Sequence, residues 1–349
     1  MSDDEILLER RGGLGIVTLN RPQALNTLSL GMYRRFDPAI AAWASDPGVR
    51  AVVVRGAGER AFCAGGDVVT VYHARAQKAG PGDYKADFFR EEYQLIRRIH
   101  RLPKPAIALM DGVTMGGGVG VSVNGRFRIA TERTLLAMPE VHIGLFPDVG
   151  ASRFLNLCPE RIGLYLALTG KRIGAADALL CGFATHFVPH ERLAALTEAL
   201  AAPASDIETV LAFHAADPGP APLDALRAAI DRCFGGASVE AIVSALARED
   251  APWGAEAREA VARASPLSLK ITFHQLGLGV GMDVEAALAL EYRMTQHCMA
   301  GHDFYEGIRA LLVDKDRNPS WQHRDLAEVS AAEVESYFAS IGDRELRFD

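Results

Sequence analysis

The stretch KPAIALMDGVTMGGGVGVSVNGR, residues 104–126, passes from an apolar run to a cluster of glycines and back to an apolar run. Residues 104–112 read as a buried strand, closed by Asp111-Gly112. Residues 113–126 read as a glycine-rich loop leading into a buried helix. A strand, a tight turn and a helix in that order are the unit of an α/β fold.

The same alternation continues on both sides. Residues 5–20 predict two short strands around the turn signal Arg11-Gly12-Gly13-Leu14-Gly15. NRPQALNTL (20–28) is a loop, and 29–46 has helical apolar spacing. VRAVVVRGAG (49–58) predicts a buried strand ended by glycines. AFCAGGDV (61–68) is a Gly-rich turn, and 86–102 an amphipathic helix. FRIATERTLLAMPE (127–140) predicts further short strands. After about residue 200 the chain becomes Ala-rich and helix-periodic to about 340. The expected division is an α/β core over residues 1–203 and a mostly helical region over 204–349. No 20–50-residue repeat is visible in the letters.

Composition narrows the function classes. The chain has 349 residues, 49% hydrophobic and 23% charged, which is ordinary globular composition with ample length for a core. A net charge of −7 argues against a broad nucleic-acid surface. The basic cluster Arg97, Arg98, His100 and Arg101 reads as a solvated helix face. Five widely spaced cysteines, with no C-x-x-C, argue against a disulfide framework or a zinc cluster and for a reducing compartment. The acidic N-terminus lacks the apolar core of a signal peptide and does not read as an Arg-rich transit peptide, and no apolar run is long enough to span a membrane. The expected location is cytoplasmic, with no membrane and no nucleic-acid partner.

Two glycine-rich turns stand out, Cys63-Ala64-Gly65-Gly66-Asp67 and Met115-Gly116-Gly117-Gly118-Val119-Gly120. Each follows a strand. Glycine lets backbone approach a ligand closely. Two such loops can each aim one N–H at a single ligand oxygen, forming an oxyanion hole. Tight strand–helix packing is the competing explanation of the same glycines. There is no G-x-x-x-x-G-K-[ST], and GGGVGV does not fit G-x-G-x-x-G, so a nucleotide fold is disfavoured. MPEVHIGLFPDVG (138–150) sets Glu140 and Asp148 in an otherwise apolar stretch, with His142 between them. Buried carboxylates are costly without partners.

Taken together, NRPQALNTL, AFCAGGD (61–67), KPAIALMDGVTMGGGVG (104–120), MPEVHIGLFPDVG and LALTGKRIGAADA (166–178) resemble the crotonase (enoyl-CoA hydratase/isomerase) superfamily. A closer likeness is to its 3-hydroxyisobutyryl-CoA hydrolase branch. That likeness lies in FFREEYQLI (88–96), TMGGGVGVSVNGRFRIATE (114–132), IGLFPDVGAS (143–152), SPLSLKIT (265–272) and EYRMTQHCMAGHDFYEGIRALLVDKDRNPSW (291–321). It is weakest over about 201–260.

The resemblance implies a crotonase-like spiral of ββα units, with two roughly perpendicular sheets and a helical C-terminal region. Hydratases of the family use two glutamates. One of those positions is Gly120 here, and the other is Glu140. Asp148 stands where hydratases usually have glycine. The resemblance therefore implies hydrolysis of a short branched 3-hydroxyacyl-CoA rather than hydration. Gly66 and Gly117 would hold the thioester oxygen. Glu140 would act as nucleophile or as base for water. Asp148 would bind the 3-hydroxyl or position the attacking group. Glu92 would contact substrate. The pantetheine and adenine would run along NRPQALN and AFCAGGD.

No metal or redox cofactor is implied, since coenzyme A is part of the substrate. A homo-oligomer, trimer or hexamer, is implied. The rivals are an enoyl-CoA hydratase/isomerase and a non-catalytic acyl-CoA-binding protein. Structural alternatives accompany each residue. Asp148 could cap a helix starting near Gly150, and Glu92 could pair with Arg97 or Arg98. His142 reads as structural, and Cys63 as a small buried thiol. His190-Glu191 lacks the second histidine of a zincin.

Overall fold

The computed structural model describes residues 4–76, 82–203 and 206–348. The junction expected at 203/204 adjoins residues 204–205, which lie outside the described residues, as do the first three residues of the acidic N-terminus. The chain divides into two compact units.

The first unit comprises Met1–Asp67, Glu91–Ala137 and Ile173–Asp224. It opens with an antiparallel pair, β1 (Ile6–Arg11) and β2 (Leu14–Leu19). Gly12 turns between them at φ +53°, a left-handed conformation that glycine adopts without steric cost. β3 (Ala51–Gly56) lies parallel to β2. The chain then crosses to a second sheet with β4 (Ala61–Cys63). After the helix Tyr84–Arg101 the pattern repeats: β5 (Ala106–Met110) joins the first sheet beside β3, and β6 (Val113–Met115) joins the second beside β4. After the helix Gly117–Val123 it repeats again, with β7 (Phe127–Ala130) beside β5 and β8 (Leu135–Ala137) beside β6. β9 (His186–Phe187) closes the first sheet. Each turn of chain thus adds one strand to a six-stranded sheet and one to a three-stranded sheet. This is a spiral of ββα units.

The burial explains why these segments are strands. Leu14, Ile16, Val53, Ile107 and Ile129 are fully buried in the larger sheet's core. Parallel strands covered on both faces read as unbroken apolar runs, as VVV and AIALM do. The helix Leu30–Ser45 is capped by Ser29, whose Oγ accepts the Met32 N–H at 3.2 Å. It buries Tyr33, Phe36 and Ile40. Two stretches differ from expectation. Ala61–Cys63 and Val113–Met115 are strands, not parts of a turn and a loop, because they pair with each other, and Val113–Met115 with Leu135–Ala137, across distant parts of the chain.

The second unit comprises Val68–Arg90, Met138–Arg172 and Ala225–Asp349, and it is helical. Its helices include Pro266–Leu278, capped by Ser265, and Val284–Cys298, capped by Asp283. Pro266–Leu278 buries Leu267, Leu269, Ile271 and Leu276, and also the polar Ser268, Thr272 and Gln275. Its buried face thus carries polar as well as apolar side chains, while His274, Gly277 and Leu278 are exposed. No described helix is long and apolar enough to cross a membrane.

Candidate active site

The first unit gathers three of the expected site residues. Leu28 forms a parallel bridge to Gly66: its N–H donates to the Gly65 carbonyl at 2.9 Å, and its carbonyl accepts from the Asp67 N–H at 2.8 Å. The Ala64 N–H is held by the Leu25 carbonyl at 2.9 Å. These bonds fix the loop through the residues on either side of Gly66 and leave the Gly66 N–H facing away from the bridge. Gly117 is the first residue of its helix, where an N–H has no acceptor within the helix. A Cβ built on Gly117 would stand 3.2 Å from the Gly66 nitrogen and 2.4 Å from Glu92 Oε1. The two amides therefore lie side by side, in a space that excludes any side chain at 117. Gly118 answers to packing instead, since a Cβ there would come within 2.2 Å of the Cys63 carbonyl oxygen.

Glu92 lies on the helix Tyr84–Arg101 and is only 2% exposed. The Tyr33 hydroxyl donates to its Oε1 at 2.6 Å. Arg98, one of the partners considered for it, pairs with Asp37 instead, Nη2 to Oδ2 at 3.0 Å. Cys63 is fully buried, and burial pushes its thiol up to about 12, with the Glu92 charge adding to the effect. A thiol that stays protonated at neutral pH is no nucleophile.

The second unit holds Glu140 and Asp148, both nearly inaccessible at 5% and 4% exposure. Glu140 opens a single tight turn, Glu140–Ile143, directly after Pro139. Its carbonyl accepts the Leu145 N–H at 3.1 Å, and Gly144 ends the turn at φ +69°. A Cβ on Gly144 would fall 2.1 Å from the Asp303 carbonyl oxygen, so the loop is seated against the helix Asp303–Ile308. The Ser265 N–H donates to the Val141 carbonyl at 3.1 Å, tying the turn to a second helix. His142 is spent on structure. Its Nε2 lies 3.0 Å from the Thr169 carbonyl, to which it must donate, and burial pushes its ring down and keeps it neutral.

The Asp148 backbone carbonyl accepts the Ala151 N–H at 3.0 Å, and Gly150, the N-cap of the helix Ala151–Phe154, has no side chain with which to cap it. The capping group comes from elsewhere. Glu291 Oε2 accepts the Gly150 N–H at 2.6 Å, and its Oε1 accepts the Ser152 N–H at 2.8 Å. Glu291 is fully buried, and burial lifts its carboxyl to about 8, with the Asp148 charge adding and the two N–H bonds opposing. Gln275 Nε2 donates to the Pro147 carbonyl at 2.7 Å and to Ser152 Oγ at 2.9 Å. Sequence reasoning missed Glu291, Gln275 and Tyr33. A glutamate, a glutamine and a tyrosine on helical segments look like solvated or core positions until the tertiary fold brings them to a loop.

Among the described residues no group of three or more His, Cys, Asp or Glu side chains is arranged to hold a metal ion. Chemically, the first unit offers a pair of amide donors backed by a buried carboxylate. The second offers two buried carboxylates on one braced loop.

Known proteins are similar to this chain over nearly its whole length. A sequence model of the enoyl-CoA hydratase/isomerase family matches residues 14–338. A protein named 3-hydroxyisobutyryl-CoA hydrolase, mitochondrial, from Rattus norvegicus is 46% identical over 353 residues, covering 99% of this chain and 91% of its own. The protein of the same name from Homo sapiens is 43% identical, with 99% and 91% covered. Among solved structures, a carnitinyl-CoA dehydratase from Mycobacterium thermoresistibile superposes with a TM-score of 0.94 at 42% identity, over 99% of both chains. An enoyl-CoA hydratase from Rhodobacter sphaeroides 2.4.1 does so at 0.91 and 41%, over 99% of this chain and 100% of its own.

The relatives' names correct one expectation. They are called mitochondrial, which overturns the cytoplasmic location read from the cysteines and the N-terminus. All five cysteines are free and buried. Free thiols indicate a reducing interior, and the cytosol is not the only one, so that signal never separated the two compartments.

Proposed function

The chain belongs to the enoyl-CoA hydratase/isomerase (crotonase) family, and from that premise we propose that it cleaves the thioester of 3-hydroxyisobutyryl-CoA with water, giving 3-hydroxyisobutyrate and free coenzyme A. The full-length match to proteins named for that reaction is the observation that carries the reading. A place in valine breakdown belongs to the proposal by family likeness.

The thioester oxygen takes hydrogen bonds from the Gly66 and Gly117 amides as negative charge develops on it. Glu140 supplies the attack in one of two ways. As base, it takes a proton from water while the water oxygen adds to the carbonyl carbon. The oxyanion then collapses, the C–S bond breaks, and the departing thiolate takes up the proton. As nucleophile, its carboxylate adds to the carbonyl carbon and expels the thiolate. Water then opens the resulting anhydride. Asp148 accepts the hydrogen of the substrate's 3-hydroxyl, and Glu92 contacts substrate beside Gly117. The assignment of the acyl-CoA and catalytic groups to residues 1–203 belongs to the proposal. Neither route draws on a metal or redox cofactor. A trimeric or hexameric assembly belongs to the proposal by family likeness.

The two solved structures, one named a dehydratase and the other a hydratase, favour a second reading, the reversible addition of water to an enoyl-CoA. Against it stands Gly120, buried in the helix Gly117–Val123, which can do no acid–base chemistry. Thiol release from a panel of short 3-hydroxyacyl-CoAs, run beside loss of the crotonyl-CoA absorbance, tests the choice. Release of coenzyme A from 3-hydroxyisobutyryl-CoA with crotonyl-CoA left intact supports hydrolysis. Crotonyl-CoA turnover without thiol release overturns it. Neither activity would leave a non-catalytic acyl-CoA binder.

A further inference from the structure

The backbone that presents Asp148 is held in an unfavourable shape. Val149 has φ +57° and Gly150 has φ +94°, two successive residues in the left-handed region. Glycine accepts that conformation freely, but a β-branched valine does not. Strain of this kind persists only where surrounding structure enforces it, and it gathers at functional sites. Val149 is 1% exposed, so burial of its side chain is one restraint. The others are polar and come from two different helices.

From Val284–Cys298, Glu291 accepts the N–H groups of Gly150 and Ser152 at 2.6 and 2.8 Å. From Pro266–Leu278, Gln275 donates to the Pro147 carbonyl at 2.7 Å and to Ser152 Oγ at 2.9 Å. Asp148 is thus bracketed: the residue before it is tied to Gln275, and the second residue after it to Glu291. Glu291 and Gln275 are both 0% exposed. Placing a carboxyl and an amide in the interior is costly, and Gln275 Oε1 is buried with no hydrogen-bond partner among the described residues. A core helix built only for stability would do better with leucine or methionine at 275. What the glutamine supplies is the pair of bonds from its Nε2.

Resting on the reading of Asp148 as acceptor of the substrate hydroxyl, we propose that Glu291 and Gln275 are positioning residues, which hold the strained Pro147–Ser152 turn so that the Asp148 carboxylate meets that hydroxyl. Both oxygens of Glu291 keep a lone pair for an N–H whether or not the group carries a proton. A glutamine there would turn an NH2 group toward one of the two N–H donors. Glu291→Gln therefore removes half of the clamp at constant shape. Gln275→Met removes the other tether at nearly constant volume.

The test measures kcat/KM for 3-hydroxyisobutyryl-CoA and for isobutyryl-CoA, which lacks the hydroxyl. It uses wild type, Glu291→Gln, Gln275→Met, Asp148→Gly and the double variant Glu291→Gln/Asp148→Gly. A misplacement near 1 Å costs about 10²-fold in rate. Glu291→Gln should therefore lower the preference for the hydroxylated substrate by about that much while changing the other substrate far less. The loss should vanish in the Asp148→Gly background, because two changes to one interaction do not add. An equal loss on both substrates, or full additivity, overturns the proposal. If Glu291→Gln does not fold, Gln275→Met carries the same comparison. If wild type hydrolyses neither substrate, the functional reading fails separately. Amide hydrogen exchange at Gly150 and Ser152 in Gln275→Met and Glu291→Gln then decides the clamp: acceleration of about tenfold or more supports it, and unchanged exchange overturns it.

Discussion

The Tyr33 hydroxyl and the Glu92 carboxylate meet at 2.6 Å, both almost completely buried, and the same Glu92 Oε1 stands where a side chain on residue 117 would have to go. The tyrosine steadies a carboxylate that in turn forms one wall beside the Gly117 amide. Removing the hydroxyl leaves a buried carboxylate with one fewer donor. Tyr33→Phe should cost about 0.5–1.5 kcal/mol of stability, the net contribution of one hydrogen bond. Urea unfolding of the two proteins reads this directly. An unchanged midpoint and slope would show that the bond contributes nothing.

Gly117→Ala adds a single methyl group into that same space. Its contacts, 2.4 Å to Glu92 Oε1 and 3.2 Å to the Gly66 nitrogen, cannot be met without moving one of them. Displacing an oxyanion donor costs about 10²–10³-fold in turnover. Thiol-release kinetics on the folded variant, with folding confirmed by circular dichroism, should show a fall in kcat of that size. A folded variant with wild-type kcat would take Gly117 out of the oxyanion hole.

The raised Glu291 carboxyl predicts a pH dependence of stability. Burial and the Asp148 charge lift it to about 8 in the folded protein, well above its value in an unfolded chain. The folded state then binds the proton more tightly. The group's contribution to stability is complete below the unfolded value and is lost as pH rises through the folded one. Between about pH 5 and about pH 8, wild type should lose stability relative to Glu291→Gln, which cannot titrate there. Denaturation midpoints of both proteins across that range give the comparison. Parallel curves would mean that Glu291 is ionised in both states.

Much of the fold was legible because its strands and helices follow local rules. The turn at Gly12-Gly13, the apolar run in β3 and the capped helix after Ser29 each declare themselves within a few residues. The spiral was legible through the family resemblance alone, since each turn carries a different insertion and no period survives in the letters. β6 was missed for the same reason, its partners lying far along the chain. In the candidate site, Glu140, Asp148 and the two glycine-rich turns stand out in the letters, because carboxylates in an apolar stretch and clustered glycines are conspicuous, whereas Gly66, Gly117 and Glu92 were singled out only by the family resemblance. Glu291, Gln275 and Tyr33 were not, because an amphipathic helix can carry any of them on a wetted face. Only the fold turned those positions inward.

The central claim is that Glu140, buried on its turn after Pro139, drives attack on the thioester. Glu140→Gln keeps the side chain's shape and removes its charge. Steady-state thiol release from 3-hydroxyisobutyryl-CoA is the measurement. The account predicts that kcat falls by at least about 10²-fold, the lower bound of what a positioned acid–base group contributes, while KM stays within a few-fold of wild type. A Glu140→Gln protein that turns over at close to the wild-type rate would contradict it.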